Sequence, residues 1–352
     1  MKKLLYLIIC LPMMFFASCD VHEWPDTPEF EKLHLRLIYE TSITEWRHQS
    51  DGVTVVEHGL GETYDNRLDH GKIRYIIRTY PVSGKYSKAQ DYTQEFVFVK
   101  NISEGYDHEV MLDVIPGNYN VMVWSDFVET SDDSYFYNAD DFAEIVLSGD
   151  HKGNTDHRDA FRGSNNITIA SDIMDNAPYT LDIVMQRPLA KYEFITTDVV
   201  EFLKKEAVRL ELTNNSESSS NNDVPTRVVN IEDYKVVFYY SGFMPNAYNI
   251  HLDKPVDSVL GVKFESSLKQ LSETEASMGF DYMLVNGAES AVMLQIGLYS
   301  ADDIQLSLTE PIKVPLKRNH HTIIDGSFMM QEASGGIVIN PDFDGNHNIV
   351  IE

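Results

Sequence analysis

Cysteine is nearly missing from this chain. Two occur in 352 residues, Cys10 and Cys19, and both stand near the start. If the chain is cut before Cys19 and that residue is modified, the folded part has no thiol, which excludes a disulfide framework, a cysteine metal site and a cysteine nucleophile. Bases are scarce as well. Against 55 acids there are 28 Lys and Arg, for a net charge of −27. Such a surface repels nucleic-acid phosphates and anionic headgroups, so neither is an expected partner. Long apolar runs are absent beyond residues 4–16, and that run is shorter than the ~20 residues a membrane-spanning helix needs. The signatures of chemistry are missing too: there is no Gly-x-Ser-x-Gly, no His-Glu-x-x-His and no phosphate loop. A non-enzymatic protein without a cofactor or resident metal is the expectation.

What is present at the start is a targeting pattern. Met1-Lys2-Lys3 is cationic, residues 4–16 are uncharged, and Ala17-Ser18-Cys19 closes the run with two small residues and a cysteine. A positive start, a short apolar run and small residues before a cut make a secretory signal. Ending on cysteine makes it resemble a bacterial lipobox, with Phe16 where Leu is commonest. Cys19 is therefore the predicted lipidation site, residues 1–18 the signal peptide and residues 19–31 a tether stiffened by Pro25 and Pro28. Loss of Lys2 and Lys3 takes the formal charge of the remaining 334 residues to −29. Acyl chains on one residue anchor a protein without spanning, at about 0.8 kcal/mol per buried CH₂. A lipid-anchored chain follows from this reading; the family resemblance given below implies a surface-exposed place in the outer membrane.

The remaining chain is long enough for about two domains, each able to bury a core. Its 43% hydrophobic and 11% aromatic content is that of a globular protein. Alternation marks strands at residues 33–39, 72–80, 95–102, 109–115 and 119–124, then at 167–170 and 179–186. Residues 41–71 and 125–165 lack a period and are expected to be loops or excursions. Arg187-Pro188 suits a joint between sheets, since proline lacks a donor. It divides an N-terminal unit, 32–187, from a C-terminal one, 188–352. In the second unit strands are expected at 190–196, 208–212, 234–240, 258–266, 279–285, 291–299, 312–316, 322–329, 335–339 and 348–352. A short helix over 199–206 with Asp198 as its cap, a loop over 242–255 and a low-complexity loop over 214–223 complete the pattern. Many short strands and scarcely a helix mean all-β sandwiches.

Candidate sites are few. Asp156, His157, Arg158 and Asp159 form the densest charged cluster. An arginine between two aspartates is expected to tie its loop to a strand end, while His151 and His157 beside these acids have only an unspecific metal spacing. Asp342, Asp344, Asn346 and Asn348 alternate like the first ligands of a calcium loop, but Gly345 falls one place too early. A turn is the simpler reading. Trp46, Tyr64, Tyr135, Phe136, Tyr137, Phe243 and Tyr248 fall in expected loops. From these, Trp46, Tyr135, Tyr137 and Tyr248 are candidate stacking residues for a surface glycan. Asp257-Ser258-Val259 resembles an O-glycosylation sequon.

Several stretches carry a family resemblance: RPLAKY (187–192), YKVVFYYSGFMP (234–245), FDYMLVNG (280–287), VPLKRNHHTIIDG (314–326) and GGIVINPDFDG (335–345), with PGNYNVMVWSDF (116–127) and DHRDAFRG (156–163) in the first half. They resemble a family of uncharacterised lipoproteins of gut and oral anaerobes that is similar to FimB-like anchor subunits of type V pili. That resemblance implies two tandem transthyretin-like (Greek-key) β-sandwiches, retention of the lipid on Cys19, no catalytic residues, and pilin-like subunits as partners. A fimbrial anchor, assembly or adhesion subunit is the expected function, with a surface glycan-binding lipoprotein as the alternative.

Overall fold

The structure, a computed structural model, describes residues 29–50, 55–57, 61–82, 92–128, 135–171, 177–217, 229–286 and 289–331. Cys19, most of the tether, residues 218–223, Asp342, Asp344 and the two last expected strands lie outside them.

The first half carries twelve strands: β1 (Glu31–Tyr39), β2 (Ser42–Ser50), β3 (Val55–Glu57), β4 (Thr63–Asp65), β5 (Lys72–Pro81), β6 (Gln94–Asn101), β7 (His108–Val114), β8 (Gly117–Phe127), β9 (Tyr137–Asn138), β10 (Ile145–Leu147), β11 (Ala160–Ile169) and β12 (Tyr179–Met185). Two sheets, ordered β12-β1-β7 and β11-β8-β5-β6, face one another. The alternation read in the sequence makes this core. Leu33, Leu35 and Leu37 point inward from β1 and meet Ile73, Tyr75 and Ile77 from β5 and Val121 and Val123 from β8. A period of two puts such residues on one face of a strand.

The second half carries β13 (Leu189–Thr196), the helix α1 (Val199–Glu217), β14 (Lys235–Tyr240), β15 (Met244–Asn249), β16 (Lys254–Val259), β17 (Lys263–Ser267), β18 (Lys269–Gln270), β19 (Ala276–Leu284), β20 (Ser290–Tyr299), β21 (Gln305–Leu308), β22 (Ile312–Leu316) and β23 (His320–Gly326). Its core lies between two sheets. Tyr192 and Phe194 of β13, Met278 of β19 and Ile324 of β23 oppose Val236 and Phe238 of β14 and Leu294 and Ile296 of β20.

Strand pairing crosses the Arg187-Pro188 joint twice. β2, with β3 and β4 hydrogen-bonded to it, adds to the second-half sheet by running parallel to β23, Thr44 opposite His320. β10 pairs with β15, Ile145 opposite Tyr248. A third apolar cluster joins the halves: Trp124, Phe136, Phe142 and Ile145 pack with Leu189, Tyr248, Tyr282 and Leu284.

Several expected loops are strands. Residues 41–71 hold β2, β3 and β4, and residues 242–255 hold β15. Ser42–Ser50 is mostly polar, so its extended form comes from neighbouring ladders rather than from its own pattern. The excursion at 125–165 is shorter than expected, because β8 runs to Phe127 and β11 starts at Ala160. The expected strand at 208–212 belongs instead to α1. Val199, Phe202 and Glu206 are buried at helical spacing, and the Glu, Lys and Leu content suits a helix. The Asp198 carboxylate accepts from Thr196 Oγ1 (2.5 Å) and from the Met330 N–H (2.9 Å), so it ties β13 to the chain beyond β23.

Candidate functional site

The four candidate stacking residues do not form a platform. Tyr137 and Tyr248 are corrections: they are 1% and 0% exposed, in β9 and β15, and cannot offer a face to a sugar. Tyr248 donates to Asp253 and packs near Trp124, and burial pushes its phenol well up. Tyr137 donates to the Arg158 carbonyl at 2.7 Å. Trp46 lies in strand β2, half-buried, with the Lys317 ammonium 4.9 Å from its ring centre and His320 5.0 Å away. Tyr135 has the Arg74 guanidinium 3.6 Å from its ring centre. Phe136 is buried, and Phe243 remains exposed. These aromatics look loop-like because their neighbours are polar, yet most of their rings close the junction between the halves.

That junction is built from buried charges. Arg187 is buried, and its Nε donates to Asp159 Oδ2 at 2.7 Å. Its other nitrogens donate to the Ser42 carbonyl (3.1 Å), the Asn66 carbonyl (3.1 Å) and Asn319 Oδ1 (3.0 Å). One side chain thus binds the starts of β2, β11 and β23 together. Arg158 pairs with Asp281 on β19 at 2.9 Å, and Asp281 also takes the His151 ring at 2.7 Å and the Tyr240 hydroxyl at 2.6 Å. Burial pushes Asp281 up, but Arg158 and His151 outweigh it and hold the carboxyl below its ordinary range. For Asp159 burial wins over Arg187 and the carboxyl is raised. Asp156 accepts from Lys191 and from the Tyr282 hydroxyl, both at 2.8 Å. The cluster at 156–159 therefore ties its loop to β13, β19 and the joint.

A cleft of about 750 Å³ opens beside this network, with Asn154, Asp156 and His157 on one side and Glu193, Ser277 and Phe280 on the other. Ser277 Oγ donates to Glu193 at 2.5 Å, and the His321 ring lies 3.2 Å from the same carboxylate. Burial raises Glu193, but these hydrogen bonds prevail and keep it below the usual range. Asp156 and Glu193 are thus engaged by neighbouring bases and hydroxyls. Among the described residues no three His, Cys, Asp or Glu side chains gather to hold a metal.

The other notable surface is an edge. β6 ends its sheet with no strand beyond it among the described residues, and β7 ends the facing sheet. The eight residues of β6, QEFVFVKN, are apolar on both faces at the centre. Phe96 and Phe98 lean on the core, while Val97 and Val99 are 53% and 47% exposed. Met111 on β7 is 49% exposed. Glu95, on the same exposed face as Val97 and Val99, pairs with Arg78 at 2.6 Å, and Lys100 donates to the Asp107 carbonyl at 2.6 Å. The run Phe96-Val97-Phe98-Val99 is the sequence signal for this surface, since an edge strand with solvent on one side needs only every second residue apolar. For Arg187 the signal was a lone base inside the apolar stretch at the joint.

The profile of a family of unknown function, DUF6562, matches residues 27–352, and the chain belongs to that family. No curated protein matches it. Solved structures similar to it include a candidate adhesin of Bacteroides thetaiotaomicron (9% identity, TM-score 0.40, 80% of each chain covered). A second, from the same species and described as a polysaccharide-binding protein, has 11% identity and a TM-score of 0.39 over 79% of this chain and 80% of that one. The fimbrial anchor protein Mfa2 of Porphyromonas gingivalis has 9% identity and a TM-score of 0.35, with 79% and 82% covered.

Proposed function

We propose that this chain is an outer-membrane lipoprotein, held by acyl chains on Cys19, that serves as a non-enzymatic anchor, assembly or adhesion subunit of a surface fibre. In this reading its two large cores are tandem transthyretin-like sandwiches meeting near Arg187-Pro188, and its partners are pilin-like subunits. The observation that carries it is the open β6 edge. An eight-residue strand paired with β5 on one side, with no strand on its other side among the described residues and with exposed valines, is a template for another strand, and soluble monomers blunt such edges with charges or bulges. Here the charges of β6 are spent on internal contacts. Backbone groups of an incoming strand would complete the ladder, and Val97 and Val99 would contribute apolar contact. The acidic surface keeps unassembled copies apart.

Crosslinking on intact cells followed by capture of the chain tests this. The native chain should bring down a second surface protein, and the double variant Val97→Lys/Val99→Lys should lose it while still reaching the membrane. No partner for the native chain, or equal capture by the double variant, would contradict the proposal.

A further inference from the structure

The first sandwich has one closed end and one open end. At the closed end β1 and β12 run into the Arg187 network, where the Glu40 N–H donates to the Met185 carbonyl and Arg187 reaches the Ser42 carbonyl. At the open end every strand of the two facing sheets has a terminus. β1 starts beside the end of β7, Glu31 opposite Val114. β8 starts beside the end of β11, Gly117 opposite Ile169, and Pro81 at the end of β5 lies opposite Tyr119. β6 and β12 start there too, with Gln94 opposite Thr79 and Tyr179 opposite Leu33. The described residues that cap this end, 81–82, 92–93, 115–118, 169–171 and 177–179, include no charged side chain, on a chain of net charge −27. Phe30 and Val82 stand out from it, 51% and 55% exposed. Both belong to one rim: the Val82 N–H donates to the Asn118 carbonyl, and residues 115–117 lead from there to Val114 beside the start of β1. Charges begin next to the rim, with Glu29, Glu31 and the Lys32–Asp113 pair at 2.5 Å. The connections 83–91 and 172–176 leave from this end and lie outside the described residues. The chain also enters here. Phe30 comes eleven residues after Cys19, a reach of at most about 40 Å.

We infer that this end seats on a zwitterionic lipid surface, so that the anchored chain rests on the membrane instead of standing off at the length of its tether. Apolar side chains on an uncharged surface gain by entering the headgroup boundary. Charged side chains, which cover the rest of the chain, would lose hydration there. The strands of the first sandwich then stand steep to the membrane, with the Gln94 end of β6 lowest and the second half pointing outward. This inference rests on the Cys19 anchor proposed above and is independent of any partner at β6.

The test uses the acylated full chain in phosphatidylcholine vesicles, with an NBD fluorophore on a single thiol introduced as Val82→Cys, Ala170→Cys or Ile304→Cys. Ala170 is exposed at the end of β11, across β8 from Val82. Ile304, 54% exposed, is the control: it lies in the second half, in the turn between β20 and β21, where Asp303 pairs with Lys235 at the start of β14. When the vesicles contain nitroxide-labelled lipid, the labels at Val82 and Ala170 should lose their fluorescence and the label at Ile304 should keep it. Chains that float with the vesicles while both rim labels stay as bright as the one at Ile304 would overturn the seating and leave the anchor intact. Chains that do not float would refute the anchor itself, and the seating with it.

Discussion

Arg187 holds the starts of β2, β11 and β23 at one point, and its loss should be costly. Removing one partner of a buried ion pair leaves the other charged and unpaired, at about 3–5 kcal/mol. Arg187→Met should lower the urea midpoint by a corresponding amount, and adding Asp159→Asn should restore part of it; a loss under about 1 kcal/mol would mean that the junction is not held there. Acid response belongs to the same scale. Asp281 and Glu193 are held below their ordinary values of 3.8 and 4.5. Their contribution is complete above those values and is lost as pH falls through the lowered ones. Asp159 has the opposite sign: its raised value means that its contribution is present below 3.8 and lost as pH rises through the raised one. Melting temperatures from pH 2 to 5 should therefore fall less steeply toward acid in Asp281→Asn than in the native chain. The tying role of residues 156–159 was legible from an arginine set between aspartates. The burial of Tyr137 and Tyr248 was not, because sequence shows polar neighbours along the chain and not the Trp124 and Arg318 side chains that meet Tyr248 across it.

At the scale of elements, the strands that are apolar on alternate residues were the readable ones, β1, β5, β13 and β14 among them. β2 was hidden because its order comes from β23, some 270 positions away in the chain, to which it is joined residue by residue from Thr44 to Gln49. No local pattern encodes a partner that distant. α1 was half legible: Val208 and Leu210 alternate over too few residues to separate a period of two from one of 3.6. Asp198 reads as a cap from sequence; the contacts of its carboxylate are with Thr196 and with the chain after β23. Asp198→Ala should cost about 1–2 kcal/mol by chemical denaturation, as the loss of buried hydrogen bonds to a charged group does. β6 behaves differently. Val97 and Val99 are half-exposed, so lysine at both positions should change the unfolding free energy by less than about 0.5 kcal/mol each. A large destabilisation would show that these valines serve the fold and not a partner.

Over the whole molecule, two sandwich cores share a third cluster and two crossing ladders, so the halves should melt together. One transition with coincident probes is expected, and two resolved transitions would contradict a shared junction. Two strands that precede residue 187 pair with strands that follow it, β2 with β23 and β10 with β15, and β2 carries β3 and β4, and β10 carries β9, into the same sheets. The proposed lipid anchor is tested at this scale: Cys19→Ser should move the chain from the membrane to the soluble fraction without changing its melting temperature, and a variant that stays with the membrane would refute the anchor. Cys10 and Cys19 are the two cysteines of the chain, so under the proposed cleavage and lipidation a thiol placed on β6 is the single free one. Val97→Cys on living cells, treated with a short crosslinker that carries a maleimide at one end and a photoreactive diazirine at the other, therefore reports directly on whether that edge is occupied, with no thiol needed on the partner. The account predicts a discrete adduct with a second surface protein, absent when the thiol is placed at exposed Ile304 instead. A Val97→Cys chain that is labelled completely by a bulky maleimide and forms no adduct would contradict it.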